Sequence, residues 1–208
     1  IPPSRRLSRQ PRERRRATVK VITEETARVT AFKAGDIQLP DFQRSWVWDD
    51  ERIRSLMHWV HVTVPHDGTK PNPAAMDSRS LLEACAGGKA TCNCRGLATV
   101  LNEVYLAMGI PSRHLTCLPY DLKDPDCHVV NMVWSRELGK WLYMDPTHDA
   151  WFADAQGRPL SPREIREAMR RGDPMTLPSA PNWNGKPVTE TFYRNYMTKN
   201  FFRFSAPA

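Results

Sequence analysis

The sequence predicts an α+β fold in which a cysteine-headed helix packs on an antiparallel β-sheet. Three observations carry this. Leu97, Leu101, Val104 and Met108 recur at intervals of four, three and four, with Ala98 and Tyr105 beside them, so one apolar stripe runs along a helix of roughly residues 94 to 108. Two β-rich runs, His128 to Trp134 and Lys140 to Asp145, flank Ser-Arg-Glu-Leu-Gly and read as a hairpin. Beyond them, Ser161-Pro-Arg-Glu164 is a capping box with proline at the first helical position, which opens another helix.

In chain order, Thr18 to Ile22 is a strand candidate, and Thr23 caps a helix that Gly35 ends. Ile53, Leu56, Met57 and Val60 give helical spacing from about Asp50 to His61. Asp77 caps a short helix bearing Leu81, Leu82 and Cys85, stopped by Gly87-Gly88. Asn93 is the N-cap of the cysteine helix, Gly109 fits its left-handed end, and Pro111 bars continuation. Arg113 to Leu118 then forms a strand, and the polar loop 120–127 delivers His128 to the rim of a cleft. After the hairpin, Leu160 staples to Ile165, and Gly172 with Pro174 ends the helix that Ser161 caps. Phe192, Tyr193, Tyr196 and Met197, with Phe201 to Phe204, follow helical spacing that favours a buried stripe over an aromatic binding platform. His58, His61 and His66 read as surface or capping histidines, not ligands.

The chain of 208 residues suffices for one well-buried domain with a small appendage. Its formal charge of +7 is carried by residues 1 to 20, which hold eight Lys/Arg and one Glu, while the rest balances 22 basic against 22 acidic groups. A nucleic-acid contact is therefore expected only through the Arg-rich leader, weakly and without sequence choice. No apolar run approaches the roughly 20 residues of a membrane span, and no signal-peptide pattern is visible, so a cytoplasmic setting without a membrane partner is favoured. The five cysteines, Cys85, Cys92, Cys94, Cys117 and Cys127, are odd in number and make no disulfide framework. A zinc site of Cys92, Cys94, Cys127 and His128 is disfavoured because Cys-x-Cys lacks the usual spacer, and neither metal nor cofactor is expected.

A cysteine in the first turn of a helix meets unpaired backbone N–H groups and the positive end of the helix dipole, both of which favour the thiolate. Cys94 occupies that place. If the hairpin turn is centred between Arg136 and Glu137, His128 lies directly opposite Asp145; a shift of one residue in each strand makes them diagonal neighbours, and both registers leave them on one face. Cys94, His128 and Asp145 thus suit the nucleophile, base and orienter of thiol acyl transfer.

The run Cys94-Arg-Gly-Leu-Ala98, the helix end Gly109-Ile-Pro-Ser-Arg113, His128 and Trp141-x-x-x-Asp145-Pro-Thr147 resemble the transglutaminase-like cysteine enzymes over about residues 57 to 204. That resemblance implies a papain-like core with Cys94, His128 and Asp145 as its triad. Earlier, Pro40-Asp-Phe-Gln-Arg-x-x-Val-Trp48 resembles the start of the ParB-like domains of modification-dependent restriction enzymes, over residues 18 to 56. The Asp-Gly-Gln-Gln-Arg motif of that family is absent, so its activity is not carried over; Trp46 and Trp48 could instead clasp the main core. The expected organisation is a basic leader (1–17), an appendage (18–56) and a transglutaminase-like catalytic domain (57–208).

The expected reaction is attack of Cys94 on an amide carbonyl of a peptide or protein, with the Cys94 backbone N–H as oxyanion donor. Water attacking the thioester gives a peptidase or amidase; an amine gives a protein-glutamine transglutaminase. Hydrolysis is favoured because water needs no second binding site. A silent peptide- or glycan-binding module and a nucleic-acid-associated module are the readings from other classes.

Overall fold

The computed structural model describes residues 49–206. The expected strand and helix of residues 18–33, the ParB-like stretch as far as Trp48 and the Arg-rich leader lie outside them. Helix α1 (Asp49–Thr63) buries Ile53, Leu56, Met57 and Val60 completely or almost so. It runs unbroken through the expected boundary at residue 56, and Ile53 and Leu56 pack in the same cluster as Met57 and Val60. Burial of each such aliphatic side chain contributes about 1.5 to 3 kcal/mol, so both halves of α1 hold the core together. The Tyr105 hydroxyl fastens α1 further by donating to the Ile53 carbonyl at 2.7 Å.

Helix α2 (Ser78–Cys85) starts where the Asp77 carboxylate accepts the Ser80 N–H, and a glycine-bearing turn follows it. Helix α3 (Cys94–Ala107) is capped by Asn93, whose side chain accepts from the N–H groups of Arg95 and Gly96. Gly109 ends it at φ 74°, a conformation that costs glycine little. Strands β1 (Ser112–Leu118), β2 (His128–Ser135) and β3 (Lys140–Met144) follow as an antiparallel meander. Helix α4 (Pro162–Arg171) opens with the complete capping box of Ser161 and Glu164. A two-residue hairpin of β4 (Asn182–Trp183) and β5 (Lys186–Pro187) precedes helix α5 (Glu190–Asn200), and β6 (Arg203–Ser205) closes the main sheet in the order β3-β2-β1-β6.

Helices cover both faces of this sheet. Leu97, Leu101 and Val104 of α3 pack with α1, α2 and the sheet residues Val133, Leu142 and Met144. Ile165 of α4 and Tyr193, Met197 and Phe201 of the C-terminal segment pack with Leu115, Val130 and Tyr143. Double coverage explains why β2 is an almost continuous apolar run and not an alternating one. One polar residue in that run, Asn131, is buried and donates to the Ala98 carbonyl at 3.0 Å, tying β2 to α3. Among the described residues no helix is long and apolar enough to cross a membrane.

Candidate active site

The start of α3, the start of β2 and the end of β3 meet at one end of the sheet. In the β2–β3 register Asn131 faces Met144 and Ser135 faces Lys140, one residue per strand away from direct opposition of His128 and Asp145. The two side chains are therefore diagonal neighbours on one face, and His128 Nε2 lies 2.8 Å from Asp145 Oδ2. The carboxylate can only accept, so this nitrogen carries the hydrogen, and the other ring nitrogen is left for the Cys94 thiol, which lines the same cleft and whose ionisation His128 favours. All three residues chosen from the sequence are thus brought together, with His128 and Asp145 buried and Cys94 half-buried.

Electrostatics favour an ion pair across this contact. Burial alone would raise the Cys94 pKa, but the neighbouring His128, with the Val129 backbone N–H, lowers it below the ordinary thiol value. Burial likewise opposes charge on His128, yet the Asp145 carboxylate and the Cys94 thiolate raise its pKa to about 10. Asp145 itself is held well below the usual carboxylate range, against burial, by His128 and His148. By contrast, burial pushes Cys92 up to about 12 and raises Cys117 and Cys127, so Cys94 is the thiol singled out for ionisation.

The N–H groups at the head of α3 are largely spoken for. Asn93 accepts those of Arg95 and Gly96 at 3.1 and 3.2 Å, and Asn72 Oδ1 accepts that of Asn93 at 2.9 Å. The N–H of Cys94 has no acceptor among the described residues and stands beside the sulfur. It is available to an oxygen placed there.

Several contributors were not foreseen. Asp145 Oδ2 also accepts from His148 Nδ1 at 3.1 Å and from the Tyr193 hydroxyl at 2.9 Å, and Oδ1 accepts the Thr147 N–H at 2.9 Å. Paired backbone bonds between Asp145 and Ala150 close the turn that folds His148 back onto the carboxylate. Tyr143 in turn donates to the Tyr193 hydroxyl at 2.8 Å. The aromatic segment expected to be wholly core divides its duties, because Tyr193 and Met197 are buried whereas Phe192 and Tyr196 line the cleft. His66, read as a surface or capping histidine, also lines it.

The cleft over the sulfur has a volume of about 480 Å³. Loop 120–127 reaches its rim through Pro125, Asp126 and Cys127, while Trp183, Phe192 and Tyr196 supply aromatic surface. Lys199 of α5 pairs with Asp124 and Asp126 at 2.9 and 2.8 Å, which secures the loop. Cys92 turns away into the core, its sulfur 3.5 Å from that of Cys85, so it is not gathered with Cys94, Cys127 and His128. Among the described residues His128, Asp145 and His148 are spaced closely enough to hold a metal ion, but their facing atoms are already joined by hydrogen bonds to one carboxylate oxygen.

The fold is that of a papain-like, transglutaminase-like core. Residues 44–146 match the family model of the transglutaminase-like superfamily, and over this core the chain belongs to that superfamily. The match begins ahead of the expected residue 57. A crystal structure named "Putative Cysteine Protease", from Cytophaga hutchinsonii, aligns at 19% identity and a TM-score of 0.36, covering 47% of this chain and 31% of that one. The chain thus spans about a third of the length of that protein. No curated protein matches the chain. The ParB-like likeness finds no support in these comparisons.

Proposed function

We propose that the chain catalyses thiol-dependent acyl transfer from an amide bond of a peptide or protein, most simply with water as the final acceptor. Cys94 would attack the carbonyl and His128 would protonate the leaving amine. Asp145 would hold the imidazole in orientation and stabilise its charge, and the Cys94 backbone N–H would bind the oxygen. The observation that carries this reading is that Cys94 and His128 line one open cleft, with His128 hydrogen-bonded at 2.8 Å to a buried Asp145 and lowering the Cys94 pKa. A neutral thiol would be a weak nucleophile, whereas the His128 charge favours the thiolate before substrate arrives.

Incubation with a peptide pool, acid quench and mass spectrometry should find an acyl group on Cys94, and an added primary amine should leave the products mainly hydrolytic. Dominant amine incorporation would instead favour a protein-glutamine transglutaminase. Absence of any acyl adduct, with normal thiol ionisation at Cys94, would favour a silent binding module.

A further inference from the structure

We propose that His66 is a second oxyanion donor, its Nε2–H hydrogen-bonding the carbonyl oxygen of the substrate together with the Cys94 backbone N–H. This rests on the acyl-transfer reading above and adds a catalytic residue to it.

Position is the first argument. The chain at His66 is bridged in parallel to the segment just before the nucleophile, with Cys92 donating to the Pro65 carbonyl at 2.9 Å and Asp67 donating to the Cys92 carbonyl at 2.8 Å. From the other side, Asn184 clamps the His66 backbone twice, accepting its N–H at 2.7 Å and donating to its carbonyl at 2.8 Å. The ring then packs at 5.4 Å from Trp183 and lines the same cleft as Cys94 and His128. Such fixing of a loop by backbone bonds on two sides gives the rigidity that a preorganised donor needs.

The state of the ring is the second argument. Nδ1 is buried and has no hydrogen-bond partner among the described residues. A sealed, unpaired N–H is costly, so the single proton of the neutral ring belongs on Nε2. A Cβ at Gly68 would stand 3.5 Å from Cε1 and 3.8 Å from Nε2, and Gly68 too lines the cleft. Glycine there leaves that edge of the ring uncovered. Burial, with the charges of His128 and His148 outweighing those of Asp145 and Asp67, lowers the His66 pKa to about 4, so the ring is neutral at ordinary pH. His66 therefore donates without competing with His128 for the thiol proton.

In the step itself the sulfur–carbon bond forms and the carbonyl π pair moves onto oxygen. His66 and the Cys94 N–H hydrogen-bond that oxygen without giving up protons, and collapse expels the amine, which takes its proton from the His128 imidazolium. Alkylation by iodoacetamide, in contrast, forms no oxyanion.

The test compares acetylation of Cys94 by p-nitrophenyl acetate with alkylation by iodoacetamide in the full chain and its variants. His66→Ala should slow acetylation by about 10² to 10³-fold, the usual loss for one oxyanion donor, and leave alkylation unchanged. His66→Gln places an amide nitrogen near the Nε2 position and should recover much of the rate, while His66→Asn, which reaches only as far as Nδ1, should not. Equal acetylation in wild type and His66→Ala, or equal slowing of both reactions, overturns the assignment. A wild-type chain that alkylates but never acetylates at Cys94 overturns the acyl-transfer reading, and this inference with it.

Discussion

Replacing Gly96 with alanine sets a helix-propensity gain against a collision at the head of α3. In an unobstructed helix the change would stabilise by about 1 kcal/mol. Here the added Cβ would lie 2.5 Å from Asn72 Oδ1 and 2.7 Å from the Cys92 Cβ. Neither neighbour can yield cheaply. Cys92 is fully buried, and Asn72 is held by the Asn93 N–H at 2.9 Å and by its own amide on Asn93 Oδ1 at 3.0 Å. Overpacking costs about 1 to 3 kcal/mol, and displacing Asn72 orphans the Asn93 N–H at about 1 to 3 kcal/mol more. The losses outweigh the gain, and Gly96→Ala should destabilise by about 1 to 5 kcal/mol. Urea denaturation measures this as a lower midpoint at unchanged slope. A variant as stable as the wild type, or more so, would refute the view that Gly96 is required by close approach.

Further outcomes follow from the site and the chain's organisation. Cys94→Ala and His128→Ala should each abolish amide turnover with the fold intact, whereas Asp145→Asn should leave residual activity, read by product formation; full activity in His128→Ala would sink the assignment. Tyr193→Phe removes one donor from Asp145 and leaves Tyr143 without its acceptor, so a loss of about 1 to 3 kcal/mol is expected in thermal or urea unfolding. A chain begun at Asp49 keeps the core residues of α1 and should retain its melting temperature and Cys94 chemistry, losing only salt-dependent affinity for polyanions. An insoluble product would show that residues before Asp49, Trp46 and Trp48 among them, are structural.

What could be read in advance was local. The stripe of α3, the caps at Asn93 and Ser161, and the β2–β3 hairpin are written in neighbouring residues, and the parity of a strand put His128 and Asp145 on one face in either register. The pairing of β6 with β1 could not be read that way, because three residues near the C-terminus carry too little pattern to name a partner so distant in sequence. The same holds for the donors around Asp145. Periodicity could say that Tyr193 faces inward, but its hydroxyl reaching the carboxylate depends on how α5 docks on the sheet. His148 belongs to a turn with Asp149 at φ 51°, where neither helical nor strand spacing applies. The place of His66 at the cleft could not be read in advance either, because it depends on a bridge to Cys92 and a clamp by Asn184, both long-range.

The proposed reaction requires that His128 hold Cys94 as a thiolate. The most direct measurement of this is the rate of Cys94 alkylation by iodoacetamide against pH, in the wild type and in His128→Ala. Because the Cys94 pKa is lowered and that of His128 is raised to about 10, the ion pair should form below the ordinary thiol pKa and persist up to about pH 10. The wild-type midpoint should therefore fall below the ~8.5 of a free thiol. Without the imidazole, burial of the sulfur and the Asp145 charge outweigh the Val129 backbone N–H, so the midpoint in His128→Ala should move above that value. A wild-type midpoint at or above the free-thiol value, or one that His128→Ala leaves unchanged, would contradict the account.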